Sequence, residues 1–105
     1  MWWFGSDSFL SIVQKPDDKD SLTVRARIKG DIEAVFPDAK VTEGAGTDYR
    51  FRAKVPREVV AKAMFDRVMA LDYGNFKSSV NNRKRHDAYM DVWDAMYRYQ
   101  EEQRK

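Results

Sequence analysis

The chain has 105 residues, of which 43% are hydrophobic, and it carries a formal net charge of +2 with no cysteine. This length allows one hydrophobic core and is too short for two, so we expect a single domain over residues 1–105. Because the net charge is small, nucleic-acid binding depends on where the cations lie. The absence of cysteine excludes a disulfide framework and thiolate chemistry and fits a reducing compartment.

No targeting or membrane-spanning segment is predicted. The first residues lack the basic flank and long apolar run of a signal peptide. No stretch approaches the roughly 20 apolar residues that cross a bilayer. We therefore expect a cytoplasmic protein that does not contact a membrane.

The first half of the chain is predicted to form four strands and one short helix. The strands occupy residues 9–15, with residues 2–4 as an optional extension, and residues 22–29, 39–43 and 49–55. A polar turn at residues 16–21 joins the first two strands into a hairpin. Gly30 stops the second strand. Asp31 then caps a helix over residues 32–36, which ends near Pro37.

Two longer helices are predicted in the second half. Pro56 suits the first position of a helix that runs to about residue 72. Residues 73–77 break the helical pattern, residues 78–82 have no assigned structure, and the last helix covers residues 83–103. A glycine-rich turn at residues 44–48 joins the third and fourth strands.

Two of the strands, residues 22–29 and 49–55, alternate with a period of two, which is typical of strands with one buried and one exposed face. The apolar faces consist of Leu22, Val24, Ala26 and Ile28 in one strand and Tyr49, Phe51, Ala53 and Val55 in the other. The opposite faces carry Arg25, Arg27, Lys29, Arg50, Arg52 and Lys54. A shift of one residue would bury these cations, so we expect a strongly fixed register.

The order of the elements predicts an α+β fold. It contains a four-stranded antiparallel sheet with helices mainly on one face, and a C-terminal aromatic helix. Two hairpins and a right-handed crossover give the strand order 1-2-4-3. This arrangement resembles a ferredoxin-like sheet whose last strand has moved to the N-terminus. It places the two rows of cations side by side.

The six sheet cations have two interpretations. Either they form a surface that binds a phosphate backbone or an acidic protein, or acidic side chains of the same chain and water cover them. Sheets that recognise RNA bases also present aromatic side chains on the exposed face. Because Tyr49 and Phe51 are predicted on the apolar face, we expect only backbone contacts to nucleic acid.

The last helix is predicted to have two different faces. One face carries Tyr89, Val92, Trp93, Met96, Tyr97 and Gln100. The other carries Asp87, Asp91, Asp94, Glu101 and Glu102, with Arg98 among them. We expect the aromatic stripe to pack on the body of the protein. The alternative is that the acidic face, or exposed aromatic side chains, dock a partner protein.

A basic group lies at the start of this helix. Arg83, Lys84 and Arg85 oppose the helix dipole, whose positive end is the N-terminus. They either balance the acidic helix behind them or, together with exposed backbone amides, hold an anion.

No arrangement of residues predicts catalysis. His86 is the only histidine, and without cysteines it cannot build the usual structural zinc site. The aspartates at 17, 18 and 20 lack the glycine and the terminal glutamate of a calcium loop. The glycines at 44 and 46 do not lead into a helix, so they do not form a phosphate loop. We expect a protein that is not an enzyme and has no cofactor or metal.

Several short segments carry a resemblance to known proteins. They are DSF at 7–9, LTVRAR at 22–27, GDIE at 30–33, DYRFRA at 48–53, VPRE at 55–58, NFK at 75–77 and RHDAY at 85–89. With these segments the chain resembles a group of small, uncharacterised bacterial proteins that are encoded on chromosomes or by phages. The resemblance implies such an origin and brings no activity and no site residues.

These observations favour a small binding protein that acts through protein–protein contact, because a cationic sheet and an acidic helix can select a partner electrostatically. One form is a phage or mobile-element factor that blocks or redirects a host complex, including a CRISPR-type defence complex. The alternative is a nucleic-acid-backbone binder that uses the six sheet cations, extended by residues 83–85. A homodimer through the edge strands is also open.

Overall fold

The computed structural model describes residues 1–44 and 48–104 and divides the chain into two compact units, Met1–Asp72 and Tyr73–Lys105. The first unit contains an antiparallel sheet and two helices, and the second contains a 3-10 turn and a long helix. The predicted α+β class is confirmed, while the single domain over residues 1–105 stays a prediction. Most of the turn predicted at residues 44–48 lies outside the described residues.

The described residues form a sheet of five antiparallel strands. The strands are β1 (Trp2–Phe4), β2 (Phe9–Val13), β3 (Ser21–Ala26), β4 (Thr42–Glu43) and β5 (Phe51–Pro56), in the order β1-β2-β3-β5-β4. The prediction of four strands is therefore wrong. The chain reverses after β1, where the Gly5 N–H donates to the Ser8 carbonyl at 2.7 Å, and β1 pairs with β2 as a separate strand. The ferredoxin-like relationship stays a prediction.

The central pair, β3 and β5, is shorter than the sequence pattern indicates. Its register runs from Ser21 opposite Pro56 to Ala26 opposite Phe51. Beyond Ala26 the chain turns into the next helix, because the Ile28 carbonyl accepts a hydrogen bond from the Asp31 N–H at 3.2 Å. Gly30 adopts φ = 95° in this turn, which glycine tolerates without steric cost. Ile28, predicted to lie in the core, is consequently exposed.

Two helices of the first unit, α1 (Asp31–Val35) and α2 (Arg57–Met69), cover one face of the sheet. The buried core consists of Leu10, Ile12, Val24, Ala26, Ile32, Phe36, Phe51, Ala53, Val55 and Val60. Helix α2 is shorter than predicted, and Pro56 ends β5 at the N-cap position instead of occupying the first helical position. Because the core residues of each strand point towards the helices, the side chains between them point to the opposite face of the sheet.

The side chains that alternate with the core residues form what we call the outer face of the sheet. Its members, deduced from the strand register, are Trp2, Phe4, Phe9, Ser11, Val13, Thr23, Arg25, Thr42, Arg52 and Lys54. The outer face thus combines aromatic, hydroxyl and cationic side chains.

The second unit is built around the helix α3 (Arg83–Glu102), which matches the predicted helix except at its last residue. The Asn82 side chain caps it by accepting a hydrogen bond from the Arg85 N–H at 2.9 Å. A 3-10 turn, Phe76–Ser79, precedes it, and Phe76 stacks on Tyr89 with 5.7 Å between ring centroids. Within the described chain, no helix has the length and apolar composition needed to cross a bilayer.

Within the second unit, the aromatic stripe of α3 is largely uncovered, and its packing on the body of the protein stays a prediction. Its exposed apolar members are Val92, Trp93, Met96 and Tyr97, and Tyr99, which was not assigned to the stripe, is exposed as well. Trp93 and Met96 are 55% and 58% exposed, and none of the residues of α3 is fully buried. Of the predicted stripe, only Tyr89, which stacks on Phe76, is half-buried.

Asp31 connects α1 to β2 and does not cap α1 as predicted. Its carboxylate accepts a hydrogen bond from the backbone N–H of Phe9 at 3.0 Å, and the residue is 3% exposed. Gly30 occupies the N-cap position and supplies no side chain. The buried carboxylate therefore satisfies a backbone donor of the sheet.

We expect Asp31→Ala to lower the free energy of unfolding by about 1–3 kcal/mol, because the Phe9 N–H loses its acceptor. Asp31→Asn keeps an oxygen that accepts this bond and should lose clearly less. Urea unfolding followed by tryptophan fluorescence measures both. Equal losses in the two variants would contradict the assigned role of the hydrogen bond.

Candidate binding surface on the sheet

The structure brings together only part of the predicted row of cations. Arg25, Arg52 and Lys54 project from the outer face on β3 and β5, and Arg25 lies directly opposite Arg52. Arg27 and Arg50 lie just beyond the ends of these strands. The placement of Lys29 was wrong, because it lies exposed in the turn before α1 and not on a strand.

Three of the predicted cations are neutralised by acidic side chains of the same chain. Two hydrogen bonds, of 3.2 and 3.3 Å, join the Arg27 guanidinium to the Asp48 carboxylate. Arg50 pairs with Glu43 at 2.7 Å, and Lys54 pairs with Asp18 at 2.5 Å. Intramolecular pairing, one of the two interpretations, is therefore correct for these three. Such solvent-exposed pairs contribute little to stability, because water screens the charges.

The remaining two cations, Arg25 and Arg52, form what we call the arginine pair. No carboxylate of the described residues forms an ion pair with either. Arg25 donates from Nη2 to the Ser11 hydroxyl at 2.6 Å. The Nε atoms of both arginines are buried, and neither has a hydrogen-bond partner among residues 1–44 and 48–104. Like charges directly opposite each other on neighbouring strands are destabilising, so a bound anion would relieve this repulsion.

Tyr49 lies beneath the arginines and not in the core, where it was predicted. The guanidinium carbons of Arg25 and Arg27 lie 4.6 and 4.1 Å from its ring centroid. The alternating pattern of residues 49–55 predicted Tyr49 on the same face as Phe51. Tyr49 lies before the start of β5, however, so the alternation of side chains along the strand does not apply to it. At 5% exposure the ring supports the guanidinium groups through cation–π contacts. It is covered by them and cannot stack on a base.

An aromatic cluster on the outer face was not predicted. Trp2 meets Phe9 edge to face at 6.0 Å between centroids, and Phe4 lies 4.6 Å from Phe9. Trp2 is 65% exposed, while Phe4 and Phe9 are half-buried. The signal that could have revealed the cluster is the turn sequence at residues 5–8, which separates two strands with outward-facing aromatic residues.

One row of residues connects the aromatic cluster to the arginine pair. The strand register places Trp2, Ser11, Arg25, Arg52 and Thr42 side by side across all five strands. Neighbouring strands lie about 4.8 Å apart, so the row spans about 19 Å. An extended ligand lying across the strands would meet an aromatic ring at one end and two guanidinium groups near the other.

The basic group at the start of α3 belongs to the second unit. Arg83 and Lys84 are exposed in its first turn. Arg85 donates to the Tyr89 hydroxyl at 3.3 Å and lies 6.0 Å from the centroid of that ring. The extension of the sheet surface by residues 83–85 stays a prediction. His86 lies beside Asp87, 3.4 Å away.

A groove of about 710 Å³ lies on the helical side of the first unit, between α2 and residues 35–40. Its rim mixes cations such as Lys62 and Arg67 with acids such as Glu58 and Asp66. In residues 1–44 and 48–104, no three His, Asp or Glu side chains converge in a way that could hold a metal ion.

Comparison of the chain with protein-family models, curated proteins and solved structures gave no match. The resemblance to small bacterial and phage-borne proteins therefore stays a prediction.

The arginines also shape the protonation of Asp48. The hydrogen bond from Arg27 lowers the pKa of this carboxyl below its usual value, and the positive charges of Arg27, Arg25 and Arg52 lower it further, against a small opposing effect of desolvation. Because the folded-state pKa lies below the unfolded value, Asp48 stabilises the fold above the unfolded pKa. That contribution is lost as the pH falls through the folded pKa.

We therefore expect Asp48→Asn to lower the melting temperature at about pH 6, with a difference from wild type that disappears towards about pH 2. Thermal unfolding followed by circular dichroism across this range provides the measurement. Asp38→Asn, the same chemical change at an exposed position, serves as the control. A difference that stays constant with pH would exclude the ionised Asp48–Arg27 pair as its cause.

Proposed function

We propose that the protein binds an acidic segment of a partner protein through the outer face of its sheet. The observation that carries this proposal is the arginine pair, which has no carboxylate partner in the described part of the chain and lies in the same row as an exposed tryptophan. The guanidinium fork suits two-point contacts with carboxylates. Tryptophan and arginine are also the side chains most enriched among the residues that dominate protein–protein affinity.

The distribution of charge favours a protein over a nucleic-acid backbone. Affinity for a chain of phosphates grows with the number of cations that contact it. Here Asp18, Glu43 and Asp48 neutralise three cations around the arginine pair. These carboxylates would repel a continuous phosphate chain, whereas a short acidic segment needs only the two central guanidinium groups.

The proposal describes a non-enzymatic binding protein of the cytoplasm. Its more specific form is a phage or mobile-element factor that blocks or redirects a host complex, including a CRISPR-type defence complex. Support for that form comes from the resemblance to phage-borne proteins and from a surface suited to an acidic partner.

Reversing the charge of the arginine pair should abolish this interaction. In pull-downs from bacterial lysate, we expect Arg25→Glu/Arg52→Glu to lose a partner that the wild type retains. Because dominant interface residues contribute about 2 kcal/mol or more each, the dissociation constant of the recovered partner should rise at least about 30-fold for Arg25→Ala or Arg52→Ala. Trp2→Ala should have a similar effect.

The matched control is Lys40→Glu/Lys62→Glu, which changes the net charge equally at two exposed cations that line the groove on the helical side of the first unit. It should recover the same partner as the wild type. Equal loss in both double variants would point to a general effect of net charge and would refute the assigned surface. Circular dichroism verifies that each variant is folded.

Binding of single-stranded nucleic acid is the second candidate function. It is favoured by the aromatic cluster, which places Trp2, Phe4 and Phe9 on the outer face. This corrects the expectation that the face lacks stacking side chains. Bases stacking on aromatic side chains contribute about 1–3 kcal/mol each, with little dependence on sequence.

This second candidate predicts weak to moderate binding with a shallow salt dependence. If the arginine pair contacts two phosphates, affinity for a single strand should fall only about sevenfold between about 50 and 200 mM salt. Trp2→Ala should weaken binding by about 5- to 150-fold through loss of stacking. Fluorescence anisotropy with labelled 12-nucleotide DNA and RNA strands measures both effects. No binding at the lower salt concentration would eliminate this candidate and leave the acidic protein.

A further inference from the structure

A surplus of two positive charges lies at the arginine pair. The guanidinium carbons of Arg25 and Arg27 lie 4.6 and 4.1 Å from the centroid of the Tyr49 ring. Arg52 lies directly opposite Arg25 on the neighbouring strand. Among the described residues, Asp48 is the only carboxylate that forms an ion pair with any of these three arginines, at 3.2 Å from Arg27. One carboxylate charge therefore offsets one of three guanidinium charges, and two remain.

The three guanidinium groups act on the same part of the surface. The hydrogen bond from Arg27 is the main cause of the lowered pKa of Asp48, and the charges of Arg25 and Arg52 lower it further. All three groups therefore lie within electrostatic range of a single carboxylate. Residues directly opposite each other in antiparallel strands have Cα atoms about 4.5–5.5 Å apart, so both long side chains of the arginine pair can reach the same small anion.

The surplus charge matches a phosphate group better than a carboxylate. A single glutamate or aspartate carries one negative charge and leaves one positive charge of the pair without compensation. A phosphorylated side chain carries a charge of about −1.5 to −2 at neutral pH and has three oxygens that accept hydrogen bonds. Arginine commonly binds phosphate through two parallel N–H···O bonds. One phosphate group therefore offers enough charge and enough acceptors for both arginines.

The surroundings of the arginine pair favour a compact anion. The flanking carboxylates of Asp18, Glu43 and Asp48 would repel a long polyanion, whereas a single phosphate group contacts only the centre. Both arginines are half-buried, and their Nε–H groups have no acceptor among the described residues. A buried donor without an acceptor is costly, so an anion towards which these Nε–H groups turn gains affinity from satisfying them.

We propose that the arginine pair binds a phosphorylated side chain of the partner protein. The inference rests on the proposed function, since it names the group within the acidic segment that the arginine pair recognises. Phosphorylation then switches the interaction on, because it supplies two negative charges at one position. The unmodified segment retains only its carboxylates and binds more weakly.

Peptides that differ in one group test this inference. The probe is a fluorescein-labelled peptide, GGEGYGEGG, prepared with tyrosine, sulfotyrosine or phosphotyrosine at its centre. A sulfate ester has the shape of a phosphate ester but a single negative charge, so the comparison isolates the second charge. At about pH 7.5, where the phosphate is mostly dianionic, fluorescence anisotropy should show at least about tenfold tighter binding of the phosphorylated than of the sulfated peptide. Equal affinity for the two, or no binding of the phosphorylated peptide at about 1 mM protein, would overturn the inference.

Removing one charge of the pair should remove this preference. In Arg25→Gln or Arg52→Gln a surplus of one charge remains, so the two modified peptides should bind with affinities within about twofold of each other. An unfolded variant would bind neither peptide, so retained binding without preference identifies the effect of charge. The matched control is Arg50→Gln/Glu43→Gln, which removes a flanking ion pair without changing the net charge. Loss of the preference in this control as well would refute the assignment to the arginine pair.

Phosphatase treatment separates this inference from the proposed function. A bacterial lysate treated with a protein phosphatase should no longer supply the partner that the wild-type protein retains from a lysate treated with phosphatase and its inhibitor. A partner that survives the phosphatase but is lost in Arg25→Glu/Arg52→Glu would overturn the inference and leave the proposed function intact. A partner retained in both conditions would overturn both. Tighter binding of a DNA strand with a terminal phosphate than of the phosphorylated peptide would overturn the assignment to a partner protein.

Discussion

The antiparallel pairing of β3 with β5 is the constraint on which the core and the candidate site both depend. It places Val24 opposite Ala53 on the side covered by the helices and Arg25 opposite Arg52 on the other side. A slip of one residue would bury the arginines, so the free energy that fixes the core also holds two like charges side by side. Hydrophobic burial thus holds the two arginines next to each other. The Tyr49 ring and the Ser11 hydroxyl, which both contact Arg25, offset part of the repulsion.

Three acidic side chains determine which cations of this surface remain without an ion pair among the described residues. Asp18 reaches Lys54 from the loop before β3, Asp48 holds Arg27, and Glu43 on the edge strand β4 holds Arg50. The three cations that flank the arginine pair are neutralised, whereas no carboxylate of the described residues pairs with the two arginines. Interfaces commonly have this arrangement, in which a few side chains at the centre dominate affinity and a polar rim surrounds them. The aromatic cluster adds apolar area beside that centre.

Periodicity predicted the helices α2 and α3 and the two central strands, because alternating and helical patterns report burial directly. Periodicity does not show at which residue the hydrogen bonding of a strand ends. The alternating pattern continues beyond the ends of β3 and β5, and Lys29 and Tyr49 were therefore predicted as strand residues. Strand β1 was missed as a separate element because three residues are too few to show alternation. The ion pairs join residues brought together by loops, and no local pattern in the sequence reports such contacts.

The two units use their apolar side chains in opposite ways. The first buries them between its sheet and helices, whereas α3 leaves its apolar stripe exposed.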